Sequence, residues 1–453
     1  MVTAQPSDHQ VGGRRLVGLD GIRGLAALFV VVHHTYLRSF PGYPASTGPE
    51  WAGWLIYGHF GVVVFIVLSG FSLALAPARH GWRLDGVGRF AGRRARRILP
   101  AYWAALVLSV LVAWLVLPQP GQPAPDARSI IVHGLLLQDL IPASTPNRAF
   151  WTIAIEAQLY LVFPLLLLIV RRLNAVVMLA AVTVVVVVAA PYLSSWDSLA
   201  PQFAILFAIG VAAAGRVAAN GRGPAAGRAA ANGRVPAAGR VVPAVWPWLA
   251  LAAAVPVLAV IAAAGSVWTI GHLFWIDIAL GPAIGLLLVS VGSGRPAPLV
   301  RVLASRPLAR LGSFSYSLYL THAPIVVMVC NGLVLGRVRQ GVPSFLVSLV
   351  IVAPVTVGVA WLFARAFEFP FQGKRSRSVG RHGSRPEGGQ ELVPEGVHPP
   401  HRRVRIWLQR VRPAPAVDLV EHGRVVRDDG DRDVPVVGVP GDGRGGLVVS
   451  EHD

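Results

Sequence analysis

The chain has 453 residues, of which 54% are hydrophobic and only 14% charged, and its mean hydropathy is +0.57. That balance excludes an ordinary soluble globular protein and points to a polytopic membrane protein. A single cysteine, Cys330, excludes an internal disulfide and a cysteine-based metal set, and the formal charge of +19 rests on arginines in loops and in the tail, where topology accounts for them without nucleic acid as a partner.

About 20 apolar residues cross a bilayer. Ten stretches meet that need, near residues 16–36, 55–76, 98–117, 150–170, 174–193, 200–215, 245–264, 270–292, 308–330 and 343–366. The expected fold is therefore an all-α membrane bundle of about ten helices, placed in the cell membrane with both termini in the cytoplasm. The first run carries Asp20, Arg23 and a His33-His34 pair and lacks a clear small-residue cleavage site, so it is expected to remain as a span. Arg23 and His34 are eleven residues apart, which returns a helix to within about 20° of the same face, roughly 16 Å further along. Ionisable groups inside a span are costly and normally line a bundle interior, so this shared stripe reads as part of a functional site. His33 is about 100° away on the wheel and is expected to face another surface.

The loops alternate in charge as the positive-inside rule requires. Inner loops hold Arg79, Arg83, Arg89, Arg93, Arg94, Arg96 and Arg97, then Arg171 and Arg172, then the arginines from Arg216 to Arg240, then Arg295, Arg301 and Arg306. Outer loops hold only Arg38, Arg128, Arg148, Arg337 and Arg339. Residues 1–15 read as a cytoplasmic N-terminus and 16–372 as the membrane domain. Within that domain a Gly-Arg pair recurs every six residues, so 215–244 reads as a low-complexity cytoplasmic loop. Residues 373–453 are rich in Arg, Gly, Pro, Asp and His without sustained periodicity, and are expected to form a disordered basic tail.

Six blocks stand in order along the membrane domain. They are Leu19-Asp20-Gly21-Ile22-Arg23-Gly24 leading to His34, Phe60-Gly61 with Phe65-Ile66-Val67-Leu68-Ser69-Gly70-Phe71, and Arg94-Ala95-Arg96-Arg97-Ile98-Leu99-Pro100-Ala101-Tyr102. Trp151-Thr152-Ile153-Ala154-Ile155-Glu156-Ala157-Gln158-Leu159-Tyr160, Ser315-Tyr316-Ser317-Leu318-Tyr319-Leu320-Thr321-His322-Ala323-Pro324 and Glu368-Phe369-Pro370 complete the set. Over about residues 14–372 the chain resembles the acyltransferase-3 family of integral membrane O-acyltransferases. It departs from the usual pattern at Val63 and Val64, where the family carries an acidic residue, and at Ala157, where it often carries a second glutamate.

The resemblance implies transfer of an acyl group, acetyl in the first instance, from acyl-coenzyme A to a hydroxyl of a glycan, a lipid or a small molecule, with no metal. Arg94 and Arg97, three apart at the inner start of the third span, flank one helix face and suit bidentate phosphate binding, so they are the candidates for the anionic head of the donor. His34 fits a general base for the acceptor hydroxyl. Arg23, deeper on the same stripe, fits a contact to the thioester end of the donor or to the developing oxyanion, and Asp20 is expected to pair with it. Glu156 fits a carboxylate that orients the imidazole or binds the acceptor. His322, Tyr316 and Tyr160 are candidates for the acceptor pocket, whereas Ser69 is assigned to helix packing because no base sits at a known spacing from it. The alternative is a transporter of a glycan intermediate or metabolite, whose mark would be related halves with matching broken helices; none is visible between 16–215 and 245–366. No hydrolase-like domain is recognisable in the chain, so the membrane domain is expected to act alone or with a separate partner.

Overall fold

In a computed structural model the described residues are 16, 18–193, 200–220 and 245–372. Among them there is no β-strand, and thirteen α-helices account for the fold. Nine helical segments are long and apolar enough to cross a membrane. The helix at the first expected span, α1 (Leu19–Ser39), has the length of a span but falls outside those nine. Arg23, His33, His34 and Arg38 dilute its apolar content, and such a helix is tolerated where other helices surround it.

Most expected spans appear with shifted ends. The second is divided: Glu50–Tyr57 is a 3-10 turn, and the spanning helix α2 runs His59–Arg79. Helix α3 (Val87–Leu115) begins eleven residues before the expected 98, so that Arg89 to Arg97 form its first turns rather than a loop. A short helix, α4 (Ala127–Gly134), lies in the next loop, started by Asp126, whose Oδ1 accepts from Ser129 N at 2.7 Å. Helices α5 (Trp151–Arg172) and α6 (Ala175–Leu193) follow closely as expected. Helix α7 (Gln202–Asn220) continues through residues 216–220, which were assigned to the low-complexity loop; four of its last five residues are Arg, Val, Ala and Ala, which favour helix or tolerate it, and the rest of that loop lies outside the described residues. Residues 1–15 and 373–453 lie outside them as well.

Helix α8 (Val245–Gly271) bends at Gly265, whose φ of 77° only glycine adopts readily, and α9 spans Leu273–Gly292. The stretch expected as one span at 308–330 is broken. Two short helices, α10 (Ala297–Leu303) and α11 (Arg306–Ser313), precede α12 (Ser315–Val327), which ends in a π-helical turn, Met328–Val334. The break falls at Phe314, because Gly312 is pinned against the α1 backbone: a Cβ there would meet the Asp20 carbonyl. Helix α13 (Val342–Phe363) closes the bundle and ends in a π-helical turn, Ala364–Glu368.

Helix α1 sits centrally, against α2, α11, α12 and α13, with Ala26, Ala27, Val30 and Val31 buried. Close backbone approach also joins α2 to α7. A Cβ added at Gly70 would meet the Phe207 carbonyl, and one added at Gly210 would meet the Val67 carbonyl. Without a hydrophobic drive between helices in lipid, such small-residue contacts and the van der Waals packing they permit hold helices together. Helices α6 and α8 are largely exposed and stand at the periphery.

Candidate functional site

The arginine-rich start of α3, the start of α1, the α11–α12 break and the end of α13 meet at one end of the bundle. From that basic end a cavity of about 770 Å³ runs inward. Arg93, Arg94, Arg96 and Arg97 line its mouth, Arg23 its side, and Ser69, Glu156 and Tyr160 its deeper wall; Phe65, Thr152 and Tyr319 lie further in. Its size falls within the range of small-molecule sites.

Each polar group is placed by a helix partner. Arg23 Nη1 pairs with Asp20 Oδ1 at 3.2 Å, as expected, and Nη2 donates to Ser72 Oγ at 2.6 Å, tying α1 to α2. Ser69 Oγ donates to Glu156 Oε1 at 2.5 Å and lies 3.1 Å from the Tyr160 hydroxyl, which also donates to Glu156 Oε1. Arg94 extends across the Phe90 ring, its Cζ 5.8 Å from the centroid, and its buried Nε has no hydrogen-bond partner among the described residues. Tyr316 donates to the Ile98 carbonyl at 3.2 Å, and Glu368 Oε2 accepts from the Ser317 hydroxyl at 2.5 Å and the Ser317 N–H at 3.2 Å.

Arg23, Arg94, Arg97, Glu156, Tyr160 and Tyr316 therefore share this cavity, whereas His34 and His322 do not line it. The two histidines meet each other beyond Tyr319, with ring centroids 5.1 Å apart, and His322 is 5.5 Å from the Tyr319 ring. His34 opens instead on a small pocket of about 20 Å³, lined by Arg38, Gln119 and Arg148 among others. His322 Nδ1 donates to the Tyr319 carbonyl at 2.7 Å, which leaves Nε2 as the lone-pair nitrogen; that atom is buried with no hydrogen-bond partner among the described residues. The His33 ring packs edge-on against His34 with centroids 4.9 Å apart, and its Nδ1 lies 2.8 Å from the Leu55 carbonyl of the 3-10 turn. Glu156 bonds to Ser69 and Tyr160, and the link toward the histidines is indirect: Thr152, one turn earlier on α5, donates to the Tyr319 hydroxyl at 2.8 Å.

Three groups were missed by reading the sequence alone. Ser69 has a carboxylate partner on another helix. Glu368 lines the cavity from the far end of the domain. The third is a pair in which the half-buried His59 donates through Nε2 to the buried Asp277 at 2.9 and 3.1 Å while Gln202 donates to the same carboxylate at 3.2 Å. An acid inside an otherwise apolar run, as at Asp277, is the signal that could have flagged the pair. Outside the spans, burial pushes the Asp139 carboxyl up to about 7, and its Oδ1 has no hydrogen-bond partner among the described residues. No group of three or more metal-ligating side chains occurs among the described residues.

The acyltransferase-3 model, described as an acyltransferase domain, matches residues 16–365. The YrhL protein of Bacillus subtilis (strain 168) is 31% identical over 169 residues, which cover 34% of this chain and 24% of that protein. The O-acetyltransferase OatA of Staphylococcus aureus (strain NCTC 8325 / PS 47) is 28% identical over 168 residues, 34% of this chain and 25% of OatA. The peptidoglycan O-acetyltransferase OatA of Listeria monocytogenes serovar 1/2a is 26% identical over 163 residues, 33% and 24% of the two chains. The match thus spans about a quarter of the length of these relatives. No solved structure matches. With its family model covering most of the chain and its apolar helices forming a multi-pass bundle of the cell membrane, this protein belongs to the acyltransferase-3 family.

Proposed function

We propose that the chain transfers an acyl group, acetyl in the simplest case, from acyl-coenzyme A to a hydroxyl on a glycan, lipid or small molecule. Residues 16–372 act as the acyltransferase unit, with the basic end facing the cytoplasm. The single observation that carries this reading is the cavity itself: guanidinium groups crowd its mouth, and a carboxylate with two hydroxyl partners lies deeper. Arg94 and Arg97, whose guanidinium groups line the cavity, hold the phosphates of the donor. The pantetheine arm then leads the thioester inward past Arg23 to Glu156.

His34, with His322 behind it, takes the proton of the acceptor hydroxyl on the far side of Tyr319. Tyr319 is hydrogen-bonded to Thr152 and stands between cavity and histidines, so its ring is the gate through which the acyl group meets its acceptor. The names of the OatA relatives favour a glycan, and peptidoglycan in particular, as the acceptor.

Binding of acetyl-coenzyme A to the purified protein in lipid nanodiscs tests the donor site. Arg94→Ala and Arg97→Ala are each expected to weaken binding roughly tenfold or more, the loss of one charge-assisted hydrogen bond. Arg89→Ala, exposed on the same helix and outside the cavity, leaves it unchanged. S-acetylpantetheine, which lacks the phosphates, binds native protein and both variants alike. A native protein that does not bind acetyl-coenzyme A contradicts the reading.

A further inference from the structure

We propose that Ser69 is a nucleophile that carries the acyl group as a covalent ester between donor and acceptor. The proposal rests on the acyltransferase reading given above and adds an intermediate to it. Ser69 was assigned to packing because α2 itself offers no base. The fold supplies one from α5: Glu156 Oε1 accepts the Ser69 hydroxyl at 2.5 Å, inside the cavity that the donor would enter. A serine hydroxyl becomes nucleophilic when a neighbouring base removes its proton.

The surrounding groups complete the constellation. Ser72 is three residues further along α2, hence on the same face, and its hydroxyl holds Arg23 Nη2 at 2.6 Å. The guanidinium is therefore next to the position where the thioester oxygen would acquire charge. The Tyr160 hydroxyl, bonded to Glu156 and 3.1 Å from Ser69 Oγ, fixes the carboxylate on the serine. Gly70, the next residue, is locked against the Phe207 carbonyl, so the backbone presenting Ser69 is anchored.

The steps balance. Ser69 Oγ attacks the thioester carbonyl as its proton passes to Glu156. The tetrahedral adduct collapses, the carbon–sulfur bond breaks, and the departing thiolate takes that proton to leave as coenzyme A. In the second half the acceptor oxygen attacks the carbonyl carbon of the seryl ester as His34 takes its proton, the bond between that carbon and Ser69 Oγ breaks, and Ser69 Oγ takes up one proton as His34 gives one up. The net change is transfer of one acyl group with no other reactant.

The first half needs no acceptor, and that is what makes it testable now. Native protein in nanodiscs, given acetyl-coenzyme A and labelled coenzyme A, is expected to exchange label into acetyl-coenzyme A, and mass spectrometry finds one acetyl group on the peptide containing Ser69. Ser69→Ala still binds acetyl-coenzyme A but exchanges at least about a hundredfold more slowly. Should Ser69→Ala fail to bind, Ser69→Cys decides: acetyl on position 69 as a hydroxylamine-cleaved thioester supports the proposal, and its absence overturns it. Native protein that binds acetyl-coenzyme A without exchange, or a binding-competent Ser69→Ala that exchanges at the native rate, also overturns it and leaves direct transfer standing. A native protein that binds no acetyl-coenzyme A overturns the acyltransferase reading together with this step.

Discussion

Glu156→Gln is expected to lower acyl transfer by roughly a hundredfold to ten-thousandfold, the usual contribution of a positioned proton-transfer group. The substitution keeps the shape of the side chain, and its carbonyl oxygen still accepts from Ser69 and Tyr160, the two hydroxyls that hold the glutamate. An amide cannot take a proton. The amount of folded protein in the membrane should therefore stay at the native level while product formation, measured per unit of that protein, collapses. Glu156→Ala is a poorer probe, because it also leaves two hydroxyls without their acceptor. A near-native rate for Glu156→Gln would reduce the carboxylate to a packing group.

The second large effect is on the fold. Gly210→Val is expected to destabilise the protein by about 3 kcal/mol, the upper part of the usual range for overpacking. A Cβ at this position meets the Val67 carbonyl and the Phe71 N–H, both backbone atoms that can yield only if α2 and α7 separate. Since Ser69 lies between those two contacts, the site loosens with the helix pair. The measurement is the thermal midpoint of the detergent-solubilised protein. Gly358→Val in α13, where an added Cβ meets nothing within 4 Å, is the control and stays at the native midpoint.

Much of the fold could be read from the chain because lipid imposes it. Without water to satisfy the backbone, apolar runs of spanning length become helices, and their positions follow from hydropathy. The ends were less legible. Helix α3 begins within the basic segment because arginine is a good helix former and charge does not stop a helix outside the bilayer core. The break at Phe314 depends on Gly312 meeting α1, a contact between residues almost three hundred positions apart that no periodicity within one segment encodes.

The site was legible by helix and not between helices. The wheel put Arg23 and His34 on one stripe of α1, but angle alone does not say what stands between them. Phe65 and Tyr319, packed with centroids 5.7 Å apart, line the cavity together with Arg23, whereas His34 does not and contacts His322, whose ring lies 5.5 Å from that of Tyr319. The Ser69–Glu156 contact joins α2 to α5 across 87 residues, so a search for a base along α2 could not find it. By contrast, the Asp20–Arg23 pair lies within one helix turn and was read directly.

Acyl transfer is tested most directly in cells fed isotopically labelled acetate. Surface glycans, lipids and secreted metabolites are compared by mass spectrometry between cells carrying the native chain and cells carrying His34→Ala at equal membrane levels. The prediction is a species heavier by one labelled acyl group that is present with the native chain and lost with His34→Ala, which would also name the acceptor. Identical profiles in cells that contain the native protein and labelled acetyl-coenzyme A would contradict His34-dependent acyl transfer.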